Sequence, residues 1–354
     1  MVPAHNEEKS IRSTLESLLR QTYPVDIFVV SDNSTDGTMS IVQEIALADQ
    51  RVKFTETKDN GFKKAGALNI AYRLLGDELN RYDFILSMDG DTFLSPDVAE
   101  QGLEEFLLDE SLGAVCSRAG VIEMKTDSFF EKLLYYQQRV EYAEFDRSRI
   151  SQHKRIKVAH GMCTMYKVAA IKAVMKKRIE QGKLDCLPYD VHNITEDYEL
   201  TVCIKECGFN VAVGLGMLAW TDIPLRIKDL WTQRIRWLRG GLDTLHQHGW
   251  NEATRKDILN AGFFWVMLIF QGILLGYAVK SLIEGVFYLN NTVLLVMALM
   301  YVDCVYTLRY VRGLCKWDCA VRMTFLPQLL YAWLTIFEQL YAYYLFLFKK
   351  DQRW

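Results

Sequence analysis

Asp83-Phe84-Ile85-Leu86-Ser87-Met88-Asp89-Gly90-Asp91 is an apolar run that stops on two carboxylates flanking a glycine. A strand buried on both faces of a parallel sheet reads as a continuous apolar run rather than an alternating one. Ligands of open α/β sheets bind outside the carboxyl ends of the strands. Asp89 and Asp91 are therefore expected where a substrate sits. The glycine between them allows close backbone approach or positive φ. Two carboxylates at this spacing can share a hard cation that completes its shell with water and phosphate oxygens. The competing reading is a polar turn after a strand, and D-x-D alone does not separate the two.

Upstream, the pattern of strands and helices repeats. Pro3 and Ala4 read as the tail of a first strand shorter than the usual five or so residues. Asn6 is expected to cap a helix with the stripe Ile11, Leu15, Leu18 and Leu19. Val25–Val30 predicts a buried strand that ends on Ser31-Asp32-Asn33-Ser34-Thr35-Asp36-Gly37, followed by a helix with Ile41, Val42 and Ile45. Val52–Thr55 predicts a third strand and residues 62–75 a third helix. This βαβαβαβ order argues an α/β fold with a mostly parallel, doubly wound sheet. Dinucleotide and P-loop readings lose ground, because neither glycine-rich fingerprint is present.

Downstream, residues 128–150 read as a long polar helix, and Val158–Ala170 as a strand entering a helix through Gly161. Asn193-Ile194-Thr195-Glu196-Asp197 is a second carboxylate cluster, with Thr195 as expected N-cap and a C-cap at Gly208. It is either a well-capped helix start or a base held at a helix start and aimed into a cleft. Residues 225–242 predict an amphipathic helix with Ile227, Leu230, Trp231, Ile235, Leu238 and Leu242 on one arc. Gln233, Arg236 and Trp237 share another face, where a guanidinium can fork onto phosphate and an indole can stack on a sugar. The same composition suits a helix lying on a lipid surface.

The 354-residue chain has a formal charge of −3, which gives no case for nucleic-acid binding. Its composition shifts near residue 260 to apolar and aromatic, with three runs at about 261–283, 286–308 and 320–348. A 23-residue helix covers roughly 35 Å, enough to span a bilayer. Arg309, Arg312, Lys316 and Arg322 place the 309–322 segment on the cytoplasmic side with the first domain. Three spans would strand Lys349, Lys350 and Arg353 on the far side, so the last run reads as partly interfacial or re-entrant. Glu338 and Gln339 within it should face protein or a water-filled path. The eight scattered cysteines form no disulfide framework and suggest a reducing compartment. Cys203/Cys207 and Cys315/Cys319 have no nearby histidine at zinc spacing and read as buried thiols. The sequons at Asn193 and at Asn290 or Asn291 carry little weight in such a compartment. The chain opens on Met1-Val2-Pro3 without a signal-peptide pattern.

In order, Val2-Pro3-Ala4-His5-Asn6-Glu7, Asp32 in S-D-N-S-T-D-G-T, Lys64 in K-A-G-A-L-N, Asp89-Gly90-Asp91, Thr195-Glu196-Asp197 and Gln233-Arg234-Ile235-Arg236-Trp237 resemble the blocks of membrane-embedded family 2 glycosyltransferases. These are the hyaluronan, chitin, cellulose and poly-N-acetylglucosamine synthases. The resemblance covers about residues 1–245. It implies a GT-A fold at 1–223, with a nucleotide-sugar half at 1–120 and an acceptor half at 121–223. Interfacial helices would follow at 224–260 and transmembrane helices at 261–348. Pro3, Ala4, Glu8 and Asp32 would line a uridine pocket near Lys64, and Asp89 would touch the nucleotide. Asp91 would ligate Mg²⁺ or Mn²⁺. Asp197 would be the general base, Gln233 and Arg236 would hold the diphosphate, and Trp237 and Glu196 would meet the acceptor. The chain departs from the group in its short first strand and in carrying no helices ahead of the transferase region, features that weigh against polymer translocation.

The implied protein is a multi-pass membrane enzyme with a cytoplasmic catalytic domain. It would move a sugar from a UDP-sugar, with N-acetylglucosamine the expected sugar, to a growing polysaccharide with inversion. A single transfer to a lipid acceptor, or a catalytically silent binding module, are the alternatives.

Overall fold

The computed structural model describes every residue except 59, 153–154, 183–185, 286–290 and 349–354. Asn290 and the charges of Lys349, Lys350 and Arg353 lie outside the described residues, as does the start of the expected 286–308 span. The chain runs β1 (Val2–Ala4), α1 (Ile11–Leu19), β2 (Ile27–Asp32), α2 (Thr38–Ala48), β3 (Val52–Thr57), α3 (Lys63–Leu75), a 3₁₀ turn (Gly76–Arg81), β4 (Phe84–Met88), β5 (Phe93–Leu94) and α4 (Val98–Leu108). It continues through β6 (Leu112–Val121), α5 (Phe129–Gln152), β7 (Cys163–Lys167), α6 (Val168–Glu180), α7 (Glu196–Glu206), β8 (Asn210–Thr221) and α8 (Ile227–His248). Four helices close it: α9 (Arg255–Glu284), α10 (Asn291–Leu308), α11 (Lys316–Met323) and α12 (Phe325–Phe348).

The apolar runs become strands as expected, and β2 is buried along nearly its whole length. β1, β2 and β3 form a parallel sheet, with Pro3 opposite Val30 and Ala4 opposite Ser31. The second sheet has the order β4-β7-β6-β8-β5. The Met1 amino group donates to Leu86 O at 2.7 Å and Met88 N–H donates to Met1 O at 3.1 Å. That slanted pattern is the parallel one, and it joins the two sheets so that β1, β2 and β4 end on one edge.

The second sheet corrects the expectation of a mostly parallel one. β7 runs antiparallel to both β4 and β6, and β5 antiparallel to β8; only β6 and β8 are parallel there. β7 is inserted between β4 and β6 and opposes both, so the pairing on either side of it is antiparallel. Two local expectations also change. Asn6 does not cap α1: it adopts φ 57°, and the helix starts after Ser10. Thr195 does stand at the N-cap of α7, but its hydroxyl donates to Asn193 Oδ1 at 3.0 Å rather than capping the helix. At the other end, Gly208 takes φ 88°, the left-handed conformation that lets the chain leave the helix.

Two apolar layers sandwich the sheets. One joins α1, α2 and α4 through Leu15, Val42, Val98 and Phe106. The other joins α3, α6 and α7 through Leu68, Ile171, Leu200 and Ile204. α8 is docked rather than free. Gly240 lies so close to Thr195 that a Cβ would come within 2.5 Å of its Cγ2, and Asn193 Nδ2 donates to Thr244 Oγ1 at 2.9 Å. The amphipathic helix is thereby fixed to the segment that bears Asp197.

Among the described residues, α9 is the one single helix long and apolar enough to cross a membrane, and none of its apolar window is buried. The 320–348 run is not one helix: α11 and the 327–348 stretch of α12 meet at 72°, a broken span or re-entrant pair. α10 is shorter. The basic 309–322 segment packs on α5, with Arg139 donating to Arg312 O at 2.7 Å and Arg322 paired with Glu144 at 2.5 Å. It thus lies beside the sheet-bearing part of the chain.

Candidate active site

Lys64, at the start of α3, brings the two carboxylate clusters together. Its ammonium lies 2.6 Å from Asp89 Oδ1, after β4, and 3.0 Å from Glu196 Oε1, at the start of α7. Burial opposes its charge, but Asp89, Glu196 and Asp197 outweigh that and hold it well above the ordinary lysine value. Lys64, Glu196 and Asp197 line one small cleft with Leu68, Ser87, Gly161, Tyr166 and Tyr189.

Asp197 is held through its backbone surroundings. Gly161 N–H donates to Oδ2 at 3.0 Å and Tyr198 N–H to Oδ1 at 2.8 Å. Burial and the neighbouring Glu196 raise its pKa to about 6, against the opposing pull of Lys64. A carboxylate fixed by two amides and made more basic by its site suits proton abstraction near neutral pH.

Gly161 was not singled out as a site residue from sequence. A Cβ there would stand 2.4 Å from Lys64 Nζ, so the glycine is required by close approach. Neighbouring His160, buried and bonded through Nε2 to Ser117 O at 2.8 Å, fixes the turn. Burial and Arg149 keep that imidazole neutral. Gly161→Ala is expected to displace the Lys64 ammonium and to lower kcat/KM for the reaction at this cleft at least tenfold, with thermal stability within a few degrees of the parent. Parental kcat/KM in a folded alanine variant would remove Gly161 from the site.

The first cluster is crowded with negative charge. Burial, then Asp89, Glu7 and Asp222, push Asp91 up to about 7. Glu7 is raised by burial, its bond from Ser10 opposing, with Asp89 and Asp222 adding to the rise; burial alone raises Asp222. Such an oxygen-rich pocket fits Mg²⁺ or Mn²⁺. Among the described residues, no three ligand atoms here gather within 4.8 Å, so a cation would lean on Asp91 and on substrate oxygens. Gly90 fits tightly: a Cβ would meet Glu7 Cγ and Pro3 O, each at 3.1 Å. It has no positive φ, so close approach is its reason. Glu7 and Asp222 were missed from sequence. Asp222 follows the buried strand β8 as Asp89 follows β4, and the same strand-end argument would have found it.

The remaining expected residues are placed as follows. Pro3 and Ala4 are buried in β1 beside Gly90. Asp32 ends β2 and accepts from Thr57 Oγ1 at 3.0 Å and Asn60 Nδ2 at 2.7 Å. Glu8 is exposed and its carboxylate accepts Gly37 N–H at 3.2 Å, which directs it to the β2–α2 loop. On α8, Gln233 and Trp237 are half-buried and Arg236 is exposed. It is Arg234 whose guanidinium lies 4.7 Å over the Trp237 ring while pairing with Glu141 at 2.7 Å.

This arrangement has relatives. Residues 1–175 match the family described as "Glycosyl transferase family 2". Residues 1–175 thus carry a glycosyl transferase family 2 domain. It is 27% identical over 263 residues to a poly-beta-1,6-N-acetyl-D-glucosamine synthase of Staphylococcus epidermidis, covering 73% of this chain and 58% of that protein. A protein of the same name from Staphylococcus aureus (strain COL) is 26% identical over 253 residues, 69% of this chain and 54% of that one. The chain thus spans somewhat over half the length of these relatives. The structure of a mannosyltransferase, PcManGT from Pyrobaculum calidifontis in complex with GDP-Man and Mn²⁺, superposes with a TM-score of 0.58 at 18% identity, covering 99% of this chain and 86% of that one. The fold is therefore of the GT-A type, with a mixed sheet.

Proposed function

We propose that this glycosyltransferase moves a sugar, N-acetylglucosamine by the relatives' names, from a UDP-sugar to a growing glycan at a membrane, with inversion. The observation that supports this most is Lys64, which bridges Asp89 and Glu196 and so sets the donor-side D-G-D against the T-E-D that bears Asp197. The acceptor hydroxyl has a pKa far above 7 and needs a base as it attacks the anomeric carbon. Asp197 takes that proton. With one base and a single displacement, the configuration inverts and a β-linkage follows from an α-linked donor. Pro3, Ala4, Glu8 and Asp32 bind uridine, Asp89 orients the nucleotide, and Gln233 and Arg236 bind the diphosphate. Arg236 stabilises the charge that develops there. Trp237 stacks on the acceptor sugar beside Glu196. A cation held by Asp91, when bound, adds electrostatic stabilisation of the departing diphosphate.

Segments 1–223, 224–260 and 261–348 serve as transferase domain, interfacial region and membrane region. The exposed apolar length of α9 supports the membrane placement, with the transferase domain and the 309–322 segment on the cytoplasmic side. Transfer of one sugar to a lipid acceptor would use the same donor site. Incubating the full chain in proteoliposomes with Mn²⁺ and a panel of UDP-sugars separates these. A ladder of hexosamine increments by mass spectrometry is expected. One increment on a lipid would select the single-transfer reading. No UDP release from any donor would overturn both.

A further inference from the structure

A second constellation lies away from the sugar-transfer site, where α7 meets the end of α8. Glu199, Cys203 and His248 place a carboxylate oxygen, a thiol sulfur and an imidazole nitrogen within 4.8 Å of one another. Glu199 and Cys203 are one turn apart on α7, and both are buried. His248 ends α8 with only 10% of its side chain exposed. We propose that these three side chains bind a zinc-class divalent cation that ties α7 to α8.

The donor set and its spacing carry the inference. Cys203 Sγ lies 3.3 Å from Glu199 Oε1, and His248 Nε2 lies 3.5 Å from the same oxygen. Tetrahedral zinc with bonds of about 2.0–2.3 Å sets neighbouring ligand atoms about 3.3–3.8 Å apart. The separation of Nε2 is long for a charge-assisted hydrogen bond, and Nε2 is buried without a hydrogen-bond partner. Its orientation is nevertheless fixed. Nδ1 lies 3.0 Å from Glu206 Oε1, the arrangement in which a carboxylate selects the tautomer and turns the other nitrogen to a metal. Glu206 is itself held by Asn251 Nδ2 at 2.7 Å and by Lys177. Glu199 keeps Oε2 for Arg178 at 2.5 Å, so Oε1 faces the candidate site. Sulfur with nitrogen favours zinc over the hard cations suited to Asp91. Zinc spacing in the sequence did not show this site because α8 returns His248 to Cys203 from far along the chain. A proton on His248 would satisfy the same carboxylates, so proton and cation compete for Nε2.

The test uses the full chain in detergent, dialysed against Co²⁺ and separately Zn²⁺. About one tightly held Zn²⁺ per chain by elemental analysis is expected, with a thiolate-to-cobalt absorption band in the Co²⁺ form. Cys203→Ser should abolish the band, and His248→Gln should weaken metal binding at least tenfold. Glu206→Gln should weaken it by about 10–100-fold with the band retained. No band at saturating Co²⁺ in the parent overturns the site and leaves His248 as a protonated bridge. A band that persists in Cys203→Ser moves the metal to another cysteine and overturns it equally. Circular dichroism checks each variant, and the parent measurement decides even if one does not fold.

Discussion

Asp197→Asn is expected to lower sugar transfer by about 10²–10⁴-fold, the contribution of a positioned general base, with UDP affinity within severalfold of the parent. The amide has nearly the carboxylate's shape but cannot take the acceptor's proton. Its NH₂ would also confront one of the N–H groups of Gly161 or Tyr198 that now donate to the two oxygens. Loss of fold is not the expected cause. The site raises the carboxyl to about 6, above its free value near 3.9. Ionisation therefore costs stability, beginning above about pH 4 and complete above about pH 6. Asparagine removes that cost, so the variant should melt no lower than the parent at pH 7. The same shift sets the parental pH profile. kcat/KM should climb tenfold per pH unit below about pH 6, where Asp197 is protonated, and level off above it. A product assay with calorimetry of UDP binding checks both. An Asn variant that turns over at the parental rate would remove Asp197 from the base role.

How much of this was legible depends on the range over which each feature is decided. The D-G-D strand end, the T-E-D helix start and the early βαβ order are local patterns, and the structure places them much as read. Strand direction in the second sheet is set by long-range pairing. β7 lies between β4 and β6 and opposes both, and nothing in Cys163–Lys167 encodes that neighbour. Burial in the 320–348 run does not encode its bend. Gly161 could be read as a strand approach, but not as the donor to Asp197, because that contact joins elements far apart in the chain. The Gln233, Arg236 and Trp237 face is correct in helical spacing. Arg234, however, paired with Glu141 of α5, is the residue that lies over Trp237, and Arg236 is exposed. Helical periodicity fixes which residues share a face, while the neighbours decide which of them is buried.

Asp91→Asn separates function from stability in opposite directions. Asp91 stands among Asp89, Glu7 and Asp222, and burial with their like charges opposes its ionisation. Without a cation, neutralising that position relieves repulsion. The metal-free variant should therefore melt higher than the metal-free parent, by about 1–2 °C for each kcal/mol relieved. With Mn²⁺ the order should reverse in function. The parent should bind UDP more tightly in Mn²⁺ than in chelator, whereas the variant should show at least a tenfold smaller Mn²⁺ effect and little transfer. A carboxamide still offers one oxygen but not the charge that retains a hard cation. Calorimetric titrations with UDP, each with Mn²⁺ and with chelator, and paired thermal melts provide the measurement. A purely structural Asp91 would give lower melting in both conditions and an unchanged Mn²⁺ effect, which would place the cation on other oxygens of the cluster.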